Sequence, residues 1–202
     1  MKISDNVELI PGTMAHSYSI VENGKIFLVD SGTKGSGNKI LNYYRAIGKE
    51  PDYILITHYH MDHIGGLNTL MDNFYSEVYV PSREVDIISG KSGYPEGTPA
   101  FLRLFTRVPA ARHPERLKTA ESLAASGVEA VNTEGHTPGS TSYFFPELGA
   151  LCVGDALYNR RGSLAVNTMF SLDLKKASES REKILGMKPV LILPGHGDPI
   201  RI

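Results

Sequence analysis

The sequence predicts an α/β fold built from two similar halves, with two β layers face to face and helices on both outer faces. Three observations lead there. Apolar strand runs alternate with stretches of helical period. The order hairpin, aspartate, helix, apolar strand, histidine occurs twice. In both copies the aspartate and histidine follow directly on strand runs, so they should converge at one edge of the two layers.

In the first copy, Ser17–Val21 and Lys25–Val29 flank Asn23-Gly24, a strong hairpin signal. The second strand leads into Asp30-Ser31-Gly32. A helix is expected from Ser36 to Gly48, with Ile40, Leu41, Tyr44 and Ile47 at helical spacing. The buried-strand run Tyr53–Ile56 then ends at Thr57-His58. In the second copy, Thr141–Phe145 and Ala150–Val153 flank a turn at Pro146–Gly149, and Gly154-Asp155 follows. A helix is expected from Asp173 to Met187, and Pro189–Leu193 leads to Pro194-Gly195-His196. Between the copies, Gly65 to Phe74 reads as a helix and Glu77–Val80 as a strand. The stretch 89–117 is irregular, with one plausible amphipathic set at Phe101, Leu102, Leu104, Phe105 and Val108. Residues 1–202 read as one domain, with 89–117 as an insert expected to act as a lid.

The chemistry concentrates in His58-Tyr59-His60-Met61-Asp62-His63. The chain has seven histidines, and three fall in this hexapeptide, so chance is a poor explanation. Neutral imidazole and ionised carboxylate are the usual ligands of zinc and similar divalent ions. His58 and His60, two apart on extended chain, project to one side. Asp62 and His63 fall where the loop turns into a helix and can point elsewhere, which suggests two neighbouring metals. His136, Asp155 and His196 stand in glycine-rich loops or at strand ends, where the backbone can approach closely. A lone histidine of this kind is usually structural; beside the hexapeptide the odds reverse.

The bulk composition excludes several classes. The chain has 202 residues, 41% hydrophobic and 21% charged, with a formal net charge of −1. That balance gives no general affinity for nucleic acid or anionic membranes. The single cysteine, Cys152, excludes an intrachain disulfide; strand alternation points it into the packed interior. The N-terminal residues lack a signal-peptide core, and no run has the length of a membrane span. The expectation is a cytoplasmic protein acting on a small molecule, any homo-oligomer being a dimer.

Taken together, Asp30-Ser-Gly32, Thr57-His-Tyr-His-Met-Asp-His63 with Gly65-Gly66, Gly135-His-Thr-Pro-Gly139, Gly154-Asp155 and Gly195-His196 resemble the metallo-β-lactamase-fold hydrolases over nearly the whole chain. The resemblance implies an αββα four-layer sandwich with a dinuclear site. By motif position one metal takes His58, His60 and His136, the other Asp62, His63 and His196, and Asp155 bridges them. Asp62 doubles as a catalytic residue, and Asp30 orients a ligand histidine. Zinc is the expected ion, two per chain, with iron or manganese able to occupy the same ligands. A hydroxide bridging the two ions would attack an ester, thioester or lactone carbonyl, and one ion would stabilise the oxyanion.

Which hydrolase is less specified. Glyoxalase II-type thioesterases share the ligand motifs, but the sequence ends six residues after His196, short of their glutathione-holding helical segment. Lactonases of this fold carry a tyrosine three residues after the bridging aspartate, where Tyr158 stands, so Tyr158 is expected to hydrogen-bond the reacting carbonyl or leaving oxygen. Secreted β-lactamases have signal peptides, and the tRNA-processing nucleases need an RNA-gripping arm. Flavodiiron proteins have a glutamate at the position of His60. The rival from another class is a mononuclear-iron persulfide dioxygenase, which keeps the histidines; a binding module would have lost ligands. His16 precedes the first hairpin strand and is a possible substrate contact, whereas His113 reads as surface. Arg103, Arg107, Arg112 and Arg116 in the insert could steer an anion, although their spacing favours a solvated helix face.

Overall fold

Asn23 and Gly24 both adopt positive φ (51° and 73°), the backbone of a tight hairpin turn. They join β2 (Tyr18–Glu22) to β3 (Lys25–Val29) in the computed structural model, which describes residues 1–105 and 109–202. β1 (Val7–Leu9) pairs antiparallel with β2. β4 (Tyr53–Leu55), β5 (Glu77–Val80) and β6 (Leu117–Thr119) add on in parallel beyond β3, giving a six-stranded sheet. The second sheet is formed by β7 (Glu129–Asn132), β8 (Thr141–Phe145), β9 (Ala150–Gly154), β12 (Leu191–Pro194) and β13 (Ile200–Arg201). Its strand order is β13-β12-β9-β8-β7. A separate hairpin joins β10 (Tyr158–Arg160) and β11 (Ser163–Ala165).

The expected duplication appears in the pairing. In the first half, hairpin β2-β3 is followed by α1 (Lys34–Ala46) and then by β4, parallel to β3. In the second, hairpin β8-β9 is followed by α6 (Leu174–Gly186) and then by β12, parallel to β9. A parallel return needs a crossover, and a helix supplies it in both halves. The α1 range begins two residues before the expected one; of its apolar set, Ile40, Leu41 and Tyr44 are buried while Ile47 is 46% exposed. The helix expected over 65–74 is two short pieces, α2 (Met61–Ile64) and α3 (Leu67–Met71), so the helix starts inside the histidine hexapeptide. Asp173 caps α6, its carboxylate accepting from Lys176 N at 3.0 Å.

Three apolar clusters account for four layers. Ile20, Phe27, Val29 and Leu55 of the first sheet pack against Tyr143, Phe145, Cys152 and Leu193 of the second. Leu28, Ile54 and Val78 face outward onto Ile40, Leu41, Tyr44 and the α3 residues Leu67 and Leu70. Leu151, Val153 and Ile192 face outward onto Ile184 of α6. Alternating residues of one strand therefore serve different layers, and Cys152 lies in the inter-sheet core as expected. This is the αββα sandwich.

Past α4 (Val85–Ile88), the described part of the insert carries α5 (Ala100–Phe105) and packs on the outer helical layer. Of the apolar set expected there, only the Leu102 side chain is described, and it is buried; Arg107 and Val108 lie outside the described residues. Arg116 donates to the carbonyls of Met71, Phe74 and Ser76, Arg103 donates to Thr98 O, and Arg112 pairs with Asp72. Among the described residues, no helix is long and apolar enough to cross a membrane.

Candidate metal centre

The parallel strands β3, β4, β9 and β12 all end at one edge, where open α/β sheets collect their ligands. Asp30 follows β3, His58 comes just after β4, Asp155 follows β9 and His196 comes just after β12. The β7–β8 loop brings His136 to the same point. All seven expected ligands meet there, in three overlapping triads whose donor atoms lie within 4.8 Å of one another: His58-His60-His136, His58-His63-Asp155 and Asp62-His63-His196. The outer triads are the two ligand sets expected from the motifs, and the middle triad joins them through Asp155.

Backbone geometry explains the convergence. Asp30 adopts φ +61°, a left-handed conformation that aspartate tolerates better than most residues. Its carboxylate turns back to accept from Thr57 N at 2.8 Å and Thr57 Oγ1 at 2.9 Å, and it contacts His63 Nδ1 at 2.7 Å. Asp30 therefore orients His63 with its other ring nitrogen, Nε2, toward the site. Thr57 Oγ1 lies 3.0 Å from His58 Nδ1 and does the same for that ring. Gly195 must lack a side chain: a Cβ there would stand 2.5 Å from Asp155 Oδ1 and 2.6 Å from His63 Cε1.

The electrostatics are those of a site short of positive charge. Burial pushes His58, His60 and His136 below the ordinary histidine range, so these rings are neutral lone-pair donors at pH 7. Burial alone would also lower His63, but Asp155 and Asp30 on its two sides hold it well above that range. Asp155 is held well below the carboxylate range: burial opposes this, and His63 and His136 outweigh it. Burial likewise opposes ionisation of Asp62, yet its hydrogen bond with His196 and the nearby His63 bring it down to about 2. His196 is raised, chiefly by that same hydrogen bond at 3.2 Å.

Three buried polar atoms of the middle triad make no hydrogen bond: His58 Nε2, His63 Nε2 and Asp155 Oδ1, the last two 3.3 Å apart. Orphaned buried polar groups cost about 1–3 kcal/mol each, and three together call for a common partner. Divalent cations satisfy imidazole and carboxylate lone pairs together, so the residues fit the metal chemistry their types imply.

A cavity of about 420 Å³ opens above these groups, lined by His60, Asp62, His136, Asp155 and His196 and by Met14, Met61, Asn167 and Phe170. Tyr158, expected to contact the reacting carbonyl, is not among the residues lining this cavity; it opens β10 opposite Ala165, half-buried. Nor is His16, whose Nδ1 faces the Tyr18 hydroxyl at 3.1 Å while its backbone N–H holds Gly195 O at 2.8 Å. His113 is a half-buried contact of Asp72. The described insert contributes nothing to the wall; the loop 166–173 does, and sequence reasoning missed it. Its one local signal was Asn167, whose side chain accepts from the N–H groups of Met169 and Phe170 at 3.2 and 3.3 Å.

Comparison with known proteins agrees with this geometry. A family described as the Metallo-beta-lactamase superfamily matches residues 10–196. The probable metallo-hydrolase YybB of Bacillus subtilis is 27% identical over 186 residues, covering 92% of this chain and 81% of that protein. The solved structure of TTHA1623 in a di-iron-bound form superposes with a TM-score of 0.75 at 23% identity, covering 96% of this chain and 93% of the other. The BLEG-1 B3 metallo-beta-lactamase gives 0.72 at 24%, with the same coverage. A matched family spanning nearly the whole sequence, on an αββα frame with its histidines and aspartates gathered at one edge, makes this chain a member of the metallo-beta-lactamase superfamily of metallo-hydrolases.

Proposed function

We propose that this protein is a metal-dependent hydrolase of an ester, thioester or lactone. The observation that carries the reading is the overlap of three ligand triads around three buried atoms that make no hydrogen bond. In this reading His58, His60 and His136 hold one divalent ion, Asp62, His63 and His196 hold a second, and Asp155 serves both. The TTHA1623 likeness, a protein with two irons, supports a pair of ions, with zinc, iron and manganese all compatible with the ligand set. Bound there, the ions would lower the pKa of a water and polarise a carbonyl.

The chain's own residues supply the rest. Asp62 remains a carboxylate at neutral pH and stands in the cavity wall, where it can accept a hydrogen bond from an attacking water. Asp30 keeps His63 in one orientation, and Thr57 keeps His58 in another. Met14 and Phe170 bring apolar surface to the cavity. A mononuclear-iron oxygenase would need only one of the triads, so the second is better accounted for by hydrolysis.

The test combines metal analysis with a panel of aryl esters, thioesters and lactones. The expected result is about two ions per chain, hydrolysis abolished by chelation and restored by metal, and a lower melting temperature for the stripped protein, since bound ligand favours the folded state. Hydrolysis that survives complete chelation, or that saturates with one ion, would overturn this reading.

A further inference from the structure

We propose that the cavity is a binding site for the alkyl chain of an uncharged carbonyl compound, and that it selects against acyl groups bearing their own carboxylate. The proposal rests on the hydrolase reading for what happens to the carbonyl, and on the cavity wall for what surrounds it.

The wall beyond the histidines and aspartates has one composition. Met14, Met61 and Phe170 are apolar, Asn167 is polar but neutral, and no lysine or arginine is among the described lining residues. Met14 is 70% exposed and Met61 39%, so large apolar side chains stand open to solvent at this cavity, where a ligand would cover them. Methionine is unbranched and adaptable, which suits an alkyl chain better than a rigid planar group.

The opposite side of the wall is fixed. Leu172 N donates to His136 O and Asp173 N to Gly135 O, tying the 166–173 loop to the His136 loop. Asn167 Oδ1 accepts from Phe170 N, so the ring is presented by a turn with its own hydrogen bonds. A chain entering between Met14 and Phe170 would meet a hydrogen-bonded apolar turn on one side and an exposed, unbranched side chain on the other.

Charge points the same way. Away from the metal-binding histidines and aspartates, a carboxylate at the far end of an acyl chain would lie among Met14, Met61 and Phe170, with no lysine or arginine among the described lining residues. Of the insert's described arginines, Arg103 is engaged on Thr98 O, Arg112 on Asp72 and Arg116 on three backbone carbonyls. Burying an unpaired anion costs far more than burying methylenes gains.

The experiment has two arms that fail separately. In the first, methyl ketones from butanone to octanone, which cannot be hydrolysed, are titrated calorimetrically into the metal-loaded protein. In the second, kcat/KM is measured for p-nitrophenyl acetate, butanoate and hexanoate and for the mono-succinate ester. Both affinity and kcat/KM should rise up to about fourfold per methylene, and the succinate should fall below the butanoate. Phe170→Ala and Met14→Ala should each flatten that rise, while Tyr75→Ala, at a residue 98% exposed and outside the wall, should leave it unchanged. A flat ketone series, or preference for the succinate, overturns the inference. A rising ketone series with no ester, thioester or lactone cleaved supports the alkyl site and overturns the hydrolase reading instead.

Discussion

Glu84 is the acid to perturb first, because it is fully buried, was not singled out by its sequence context, and props the loop that carries His136. It ends a single 3-10 turn, Ser82–Glu84, just beyond β5. Its Oε1 accepts from Thr137 Oγ1 and, at 3.0 Å, from Gly139 N, while Oε2 is buried without a partner. Burial pushes its pKa up from 4.5 to about 7, against the pull of the Thr137 and Gly139 hydrogen bonds and of the Tyr59 backbone. The folded protein therefore keeps a proton that the unfolded chain has lost between pH 4.5 and about 7. The stabilisation is fully present below 4.5 and is lost as pH rises through about 7, because the folded state binds more protons in that window. At about 1.4 kcal/mol per pH unit, the loss between about pH 5 and pH 8 comes to about 2–3 kcal/mol. Glu84→Gln mimics the neutral acid at every pH and removes this dependence. Its effect at low pH should stay within the roughly 1–3 kcal/mol of an imperfectly paired buried group. Denaturant unfolding of both proteins across that range should show the unsubstituted one losing about 2–3 kcal/mol relative to Glu84→Gln. Parallel curves would mean that Glu84 does not change ionisation on folding, and the argument from its burial would be wrong.

Two further outcomes follow from named contacts. Asp30→Asn keeps the shape but removes the charge from the group 2.7 Å from His63 Nδ1; metal affinity measured against a chromophoric chelator should fall about 10–100-fold, with unchanged affinity separating Asp30 from the site. Tyr158 does not line the cavity, so Tyr158→Phe should leave kcat and KM within about twofold; a kcat reduced tenfold or more would return its hydroxyl to the reaction.

What was legible in the sequence follows from what each signal encodes. Asn23-Gly24 can take positive φ at little cost, so it marked its hairpin accurately. Ile54–Ile56 and Leu191–Leu193 are buried, β4 and β12 each pairing in parallel with a neighbouring strand, and they therefore read as continuous apolar stretches. The candidate ligands were visible because seven chemically matched residues gather at one edge of the sheets, four of them in a single hexapeptide. Short edge strands such as β1 and β13 carry little periodicity and were not visible. The wall of the cavity was missed for a different reason. Met14 and Phe170 are ordinary apolar residues in loops, and only the tie between the 166–173 loop and the His136 loop brings Phe170 over the histidines. The irregular insert drew attention through its glycines and prolines, yet its described arginines, Arg103, Arg112 and Arg116, are engaged with the outer helical layer and with the insert itself.

The two halves also show how one position acquires two tasks. Asp30 and Asp155 follow equivalent strands, β3 and β9, and both face His63, at 2.7 Å on Nδ1 and 3.3 Å on Nε2. Asp30 has both oxygens taken, one on Thr57 N and Oγ1 and the other on His63. With its lone pairs occupied it can orient a histidine but has little left for an ion. Asp155 Oδ1 makes no hydrogen bond, only the 3.3 Å ion-pair contact with His63 Nε2, and the residue lines the cavity, so it keeps capacity that Asp30 has used. Thr57 makes the difference, and it reaches Asp30 across a gap that a side chain on Gly154 would close, since a Cβ there would lie 2.5 Å from Thr57 Oγ1. The residue before the second aspartate thus leaves room for the threonine that engages the first. Equivalent places in a duplicated fold have diverged into a positioning carboxylate and one free to bind, through a contact between the halves that neither half's sequence pattern contains.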